Sequence, residues 1–379
     1  MIYFNNAATS WPKPEIVYQT ADNFFRNSGM NPGRSGSAEK LDADRMIFET
    51  REKIADFFSI KNSAHLAFNS GATESLNTVI KGVLKKGDHV ITSKMEHNSI
   101  IRPLERLKME RALEVDYLDL DKESGEVDYQ ALENAVRDDT KLIAISHASN
   151  VLGTVNNLER IGELAAAEDI LFLVDAAQTA GVISIDVEKM KIDFLSVPGH
   201  KSLFGPPGVG SLYVRDPEKL RPLKEGGTGT NSLSTTQPQI MPDYLEAGTL
   251  NTPGIIGLGA GIEFIQSQGI TNIHQKEISL LKKLIAGLNS LAGIKVYGKK
   301  DTVNRTAVFA FNLEGYSSNQ LAFKLQHDYD IQLRGGLHCA PLLHKFFKTD
   351  KQGMLRLSPG YFNTEAEVDE FLNIMESLN

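Results

Sequence analysis

A lysine, a carboxylate, a helix start and a thiol carry most of the chemistry legible in this chain. Lys201 follows the apolar run Phe194-Leu195-Ser196-Val197-Pro198 and precedes a stiff turn, Gly205-Pro206-Pro207-Gly208. An amine fixed there and partly desolvated loses basicity, which suits it to bond an aldehyde carbon as a Schiff base. Asp175 stands 26 residues earlier, at the end of Leu171-Phe172-Leu173-Val174. A carboxylate delivered into an apolar interior needs a cationic or strongly hydrogen-bonding partner. In Asn69-Ser70-Gly71-Ala72-Thr73-Glu74 a strand ends, a glycine permits a tight turn, and a helix is expected to begin near Thr73. Its unpaired N–H groups suit a phosphate. Cys339, the single cysteine, lies in Arg334-Gly335-Gly336-Leu337-His338-Cys339-Ala340-Pro341, where neighbouring positive charge favours a thiolate. Taken singly, each has a plainer reading: a solvated lysine, a capping aspartate, an ordinary helix cap at Thr73, an inert core thiol.

The elements that must position these groups alternate. Short apolar runs at His65–Phe68, His89–Thr92, Leu142–Ser146, Ile170–Val174, Phe194–Val197 and Gly210–Val214 predict buried strands. Between them, Glu74–Leu84 and Leu158–Glu168 place apolar residues three and four apart, as helices do. This alternation predicts an α/β fold with a mostly parallel sheet covered on both faces. In such a sheet ligands bind beyond the carboxyl ends of the strands, where Lys201, Asp175 and the Gly71 turn all fall. After about residue 255 the texture changes. A glycine-rich segment, Gly254–Gly261, leads into a helical pattern through Leu291, followed by an alternating strand at Thr306–Leu313, a helix from Ser318 and an amphipathic tail helix, Glu365–Leu378. We expect a large domain over 15–255 and a smaller α+β domain made of 1–14 and 256–379.

Composition excludes several classes of function. The 379 residues are 41% apolar and 23% charged, which fits a folded chain with a sizeable core. A net charge of −8 lacks the basic surplus of a nucleic-acid-binding surface. No apolar run approaches the roughly 18 residues that cross a bilayer, and no charged-then-apolar leader opens the chain. One cysteine permits no intramolecular disulfide, so a cytoplasmic protein without membrane or nucleic-acid partners is expected.

Five ordered motifs extend the reading over nearly the whole chain. They are Ser149-Asn150-Val151-Leu152-Gly153-Thr154, the Asp175 strand end, Gly199-His200-Lys201, Glu246-Ala247-Gly248-Thr249 and the Arg334–Pro341 segment. In this order they resemble the class-V aminotransferases, and among them the cysteine desulfurase and selenocysteine lyase group. The compact Arg-x-Gly-x-His-Cys-Ala pattern resembles its Suf-type branch. The resemblance implies a fold-type I, pyridoxal 5′-phosphate-dependent transferase with no metal. Lys201 would bond the cofactor aldehyde and later move the substrate α-proton, and Asp175 would pair with the pyridine nitrogen. His97 would stack on the ring, while Asn150 and Gln178 would lie near its phenolic oxygen. Ala72, Thr73 and His200 match the phosphate cup, and Thr249 matches a residue reaching the phosphate from the other subunit of a homodimer. Arg356, with Arg334 and Asn150 nearby, would hold the substrate carboxylate, a task suited to a planar bidentate donor.

By the same resemblance, L-cysteine would become L-alanine, with its sulfur left as a persulfide on Cys339. From there it would pass to a protein acceptor in iron–sulfur cluster assembly. The alternatives are a selenocysteine lyase acting on L-selenocysteine, or another class-V aminotransferase or lyase. The sequence departs from the family pattern at Pro198, where many relatives carry a phosphate-binding serine, and at Ser37, where relatives often carry histidine.

Overall fold

A computed structural model describes residues 1–28 and 38–378, with the side chains of 38–41 left aside; Ser37 lies outside these described residues. The chain opens with β1 (Ile2–Tyr3), α1 (Glu15–Asn27) and α2 (Ala38–Phe57). The next elements are β2 (Leu66–Asn69), α3 (Ala72–Val83), β3 (His89–Ser93), α4 (Asn98–Arg111) and β4 (Glu114–Leu118). Then come α5 (Tyr129–Ala135), β5 (Thr140–Ser146), α6 (Leu158–Ala167), β6 (Leu171–Asp175), β7 (Phe194–Pro198) and β8 (Gly210–Val214). Two helices, α7 (Thr252–Gln268) and α8 (Ile270–Ser290), lead to β9 (Ile294–Tyr297), β10 (Phe309–Leu313) and α9 (Ser318–Tyr329). The chain ends with β11 (Ile331–Gln332), α10 (Pro341–Phe346), β12 (Leu355–Leu357) and α11 (Glu365–Ser377).

Among the described residues the main sheet has the order β2-β8-β7-β6-β5-β3-β4. Its pairs from β7 to β4 are parallel, and β8 runs antiparallel to both neighbours. Successive side chains of a strand point to opposite faces, so a sheet covered twice needs apolar residues at every position. In β5, Ile143 and Ile145 enter a core with Phe172, Val174 and the helices α2, α6 and α7, while Leu142 and Ala144 enter a second core with Leu173, Phe194, α3 and α4. A separate three-stranded antiparallel sheet, β12-β10-β9, packs with α8, α9 and α11 around Phe309, Phe311 and Phe371. No helix of the described residues is long and apolar enough to cross a membrane.

The expected α/β class and mostly parallel sheet are therefore present, with local differences. Edge strand β4 has mostly exposed or half-buried residues, so it lacks the apolar run that marks the others. The helical pattern of 254–291 is two helices broken at Gly269 (φ +81°), and the glycine-rich segment is itself helical. Its glycines permit close approach: a Cβ on Gly261 would lie 2.2 Å from the Leu203 carbonyl oxygen. Thus α7 packs directly on the turn after Lys201. The strand at 306–313 begins only at Phe309, because Thr306 N–H is already bonded to the Gly153 carbonyl.

Candidate active site

Every parallel strand of the main sheet releases its chain toward one edge, and a cavity of about 340 Å³ opens there. Its wall includes Ala72, Thr73, His97, Asn150, Asp175, Gln178, His200, Lys201, Arg334 and Arg356. Residues from five loops and both sheets thus converge, as the strand-end rule predicts.

The amine and the carboxylate set the electrostatics. Asp175, the last residue of β6, is 5% exposed, and one of its oxygens accepts the Ala177 N–H at 2.9 Å. Its other oxygen has no hydrogen-bond partner among the described residues, and burial pushes the carboxyl above its ordinary value against the opposing pull of Lys201. Burial brings the Lys201 amine down to about 8; Asp175 and Cys339 oppose that fall, and Arg356 and Arg334 add to it. A lysine held there is partly neutral at physiological pH and able to attack an aldehyde.

The start of α3 also lines the cavity. The helix begins at Ala72, beside Thr73 as expected, but with Gly71 (φ +137°) in the cap position and no capping side chain. The plain-cap reading of Thr73 therefore fails. Its hydroxyl instead lies 2.9 Å from Ser99 Oγ, which lies 2.8 Å from His97 Nδ1. Ala72 and Thr73 line the cavity as the first residues of α3, where a helix leaves its N–H groups unpaired at the positive end of its dipole. β8 packs closely against this turn: a Cβ on Gly210 would lie 2.6 Å from Gly71 Cα.

His97 is neutral, held to about 4 chiefly by burial and then by Lys201 and three arginines. Its Nδ1 accepts the Ser99 N–H at 3.1 Å, which places the ring hydrogen on Nε2. Beneath it, Glu96 is fully buried. Its carboxyl accepts hydrogen bonds from the Ser93 and Ser146 hydroxyls (both 2.6 Å) and from Ser146 N–H, and burial lifts it to about 7. Sequence reasoning missed Glu96, Ser99 and Ser146. Adjacency to His97 was the signal available for the first two.

Arg356, on β12, is 1% exposed yet meets no carboxylate among the described residues. It donates to the Asn150 carbonyl (2.9 Å) and to Asn5 Oδ1 (3.0 Å), and its Nε is buried without a partner. Burial and the neighbouring Arg334 bring it down to about 9. Arg334 also forms no ion pair among the described residues, and it pairs with Arg356 through a backbone bridge. Two guanidinium groups without a counter-ion beside one cavity make a site for an anion.

The cysteine loop adjoins this side: Arg334 and His338 line the cavity, and Cys339 stands just behind its wall. Arg334 Nη2 lies 3.8 Å from Cys339 Sγ. His338 (φ +50°) and Cys339 (φ +58°) are consecutive left-handed residues, a conformation costing about 1–3 kcal/mol each for non-glycine residues. Neighbours impose it: the Asn150 side-chain amide donates to the His338 carbonyl and the Asn98 N–H to the Cys339 carbonyl, both at 2.7 Å. Asn150 is thus tied to the loop, and Gln178 Nε2 donates to the Ala7 carbonyl at 3.1 Å. His200 also lines the cavity, its imidazole held to about 4 by burial, and its carbonyl accepts from Thr9, Ser10 and Lys13 of the amino-terminal segment. Thr249 stands apart, on the wall of a separate cavity of about 600 Å³ beside the buried Arg51–Glu246 ion pair.

A buried amine facing a half-satisfied carboxylate at the carboxyl edge of a parallel sheet defines a class, the fold-type I enzymes that use pyridoxal 5′-phosphate. The chain belongs to the class-V aminotransferase family, whose model matches residues 2–371. It is 35% identical over 393 residues to a probable cysteine desulfurase of Pyrococcus abyssi, covering 100% of this chain and 94% of that protein. It is 31% identical over 388 residues to a cysteine desulfurase of Wigglesworthia glossinidia brevipalpis, covering 98% and 91%. The apo cysteine desulfurase of Thermococcus onnurineus NA1 is similar in structure, with a TM-score of 0.94 at 34% identity, covering 100% of this chain and 94% of that one. The Escherichia coli cysteine desulfurase CsdA gives a TM-score of 0.89 at 29% identity, covering 99% and 94%.

The family depends on pyridoxal 5′-phosphate, and the residues present fit it. The unbonded Asp175 oxygen suits a pyridinium N–H, the α3 start suits the phosphate, and Lys201 suits the aldehyde. Pro198 lines the cavity and offers it no backbone or side-chain donor.

Proposed function

We propose that this chain is a cysteine desulfurase that converts L-cysteine to L-alanine and leaves the sulfur on Cys339. The observation that carries this reading is the position of the chain's single thiol, 3.8 Å from Arg334 beside the uncompensated Arg356. A transaminase has no use for a thiol there.

When bound, pyridoxal 5′-phosphate supplies an electron-withdrawing ring that takes up the electron pair left at the substrate Cα. The protein's own groups do the rest. Lys201 Nζ would hold the cofactor and is the amine placed to move the substrate Cα proton. Asp175 keeps a proton on the ring nitrogen. His97, neutral and donating through Nε2, fits a ring face. Arg356 holds the α-carboxylate and so orients the substrate sulfur toward the cysteine loop. Cys339 then attacks that sulfur: the substrate C–S bond breaks, an S–S bond forms, and a proton replaces sulfur on the substrate Cβ. The enzyme thiol becomes a persulfide and cysteine becomes alanine, with no outside oxidant or reductant.

The separation of Thr249 from the cavity supports a homodimer in which it completes the partner's phosphate cup. The third core, around the small sheet, supports a separate small domain, while α7 packs in a core of the main sheet and so sides with the large domain beyond residue 255. A cytoplasmic enzyme passing sulfur to a protein acceptor for iron–sulfur cluster assembly agrees with a lone, unpaired thiol.

Turnover of L-cysteine and L-selenocysteine by the holoenzyme, with alanine measured for both, tests this reading. Alanine formed from L-cysteine supports it; alanine formed from L-selenocysteine alone would assign the chain as a selenocysteine lyase. The carboxylate role has its own test. Arg356→Lys keeps the charge but not the bidentate fork, and a charge-assisted hydrogen bond contributes about 1.5–3 kcal/mol. We expect KM for L-cysteine to rise about ten- to a hundredfold, with a smaller change in kcat.

A further inference from the structure

Behind Cys339 two buried imidazoles and a threonine form a chain that the steps above do not use. His338 Nε2 lies 3.0 Å from the Arg334 carbonyl oxygen, and His338 Nδ1 lies 3.4 Å from His344 Nε2. His344 Nδ1 lies 2.9 Å from Thr349 Oγ1. His344 does not line the cavity and is 0% exposed.

The hydrogen positions are set from one end. A carbonyl oxygen only accepts, so His338 Nε2 carries the hydrogen and Nδ1 of the neutral ring is bare. His344 Nε2 must then donate to it, and His344 Nδ1 accepts the Thr349 hydroxyl. The other tautomer of His344 would point two lone pairs at each other. Both rings are neutral: burial, with Arg356 and Arg334, holds His338 well below its ordinary value, and burial brings His344 to about 4 against a hydrogen bond at the Thr349 backbone and the pull of Asp350.

The chain ends on the residue that contacts the thiol. The Arg334 carbonyl receives His338 Nε2–H while the Arg334 guanidinium meets Cys339 Sγ. The His338 ring is therefore the third brace of the left-handed His338–Cys339 pair, besides Asn150 and Asn98.

We propose that His344 is a positioning residue for Cys339: by donating to His338 Nδ1 it fixes the imidazole that braces the Arg334 carbonyl, and so holds Cys339 Sγ against the Arg334 guanidinium. The proposal rests on Cys339 being the sulfur acceptor. Misplacing a reacting atom by about an ångström lowers rates up to about a hundredfold. In His344→Leu, sulfur transfer to Cys339 after one equivalent of L-cysteine is expected to slow about tenfold. KM for L-cysteine and the cofactor's visible spectrum should match the parent. His344→Gln, whose amide N–H can reach the same nitrogen, should recover most of the rate. A parent-like rate in His344→Leu, or equal slowing in both variants, would overturn the proposal. If the parent itself places no sulfur on Cys339, the desulfurase reading fails and this role with it. The parent also tests the premise without any substitution. In a ¹⁵N spectrum of histidine-labelled holoenzyme at neutral pH, both rings should be Nε2–H tautomers, and an Nδ1–H form at either would refute the chain.

Discussion

Lys201→Ala is expected to yield a folded protein that lacks the visible absorbance of a lysine-bound cofactor and forms no measurable alanine from L-cysteine. Two functions are lost together. The amine that holds the aldehyde is gone, and so is the group that moves the Cα proton, a step for which a positioned base contributes about 10²–10⁴-fold. Alanine formation should therefore fall about 10³-fold or more. Stability should not fall with it. Burial strips the Lys201 amine of solvation and brings it to about 8, so removing it relieves a desolvated group instead of breaking an ion pair. Thermal unfolding of the cofactor-free protein checks this: Lys201→Ala should melt at or above the parent. A variant that kept both the absorbance and the turnover would remove Lys201 from the chemistry.

Cys339→Ser is the complementary experiment. It leaves the cavity, the cofactor contacts and Arg356 in place and removes only the sulfur nucleophile. The visible spectrum should be that of the parent, and L-cysteine should still bind and change that spectrum. Alanine should nevertheless fall about 10²-fold or more, since an oxygen nucleophile does not take up sulfur in this way. The pair of variants separates the two halves of the mechanism: Lys201 acts on the substrate Cα, Cys339 on its sulfur. Undiminished alanine formation in Cys339→Ser would favour direct elimination over transfer to the enzyme.

Much of the fold and the site is legible in the amino-acid sequence, for physical reasons that differ by residue. Buried parallel strands need apolar residues on both faces, so β5, β6 and β7 stand out as runs, and a polar residue at the end of a run is a candidate site residue. Lys201 and Asp175 are read in that way. The exposed edge strand β4 obeys no such rule and leaves no apolar run to find. The start of α3 near Thr73 is legible but its cap is not, since Gly71 caps α3 through its backbone conformation and not through a side chain. The partners that tune the site are hidden because folding alone brings them together. Asn5 reaches Arg356 across 351 positions, and Asn150 reaches His338 across 188. His344 is only six residues from His338, but they meet through the Leu337–Ala340 turn, closed by the Ala340 N–H on the Leu337 carbonyl, and the start of α10, a join that no period of strand or helix describes.

Transfer of sulfur to the protein is the central claim, and a single turnover reads it most directly. Holoenzyme mixed with one equivalent of L-cysteine, with no acceptor or reductant, is analysed by mass spectrometry of the Cys339 peptide and by alanine released. The account predicts one sulfur atom added at Cys339 for each alanine formed. Alanine appearing together with free sulfide while Cys339 stays unmodified would contradict it.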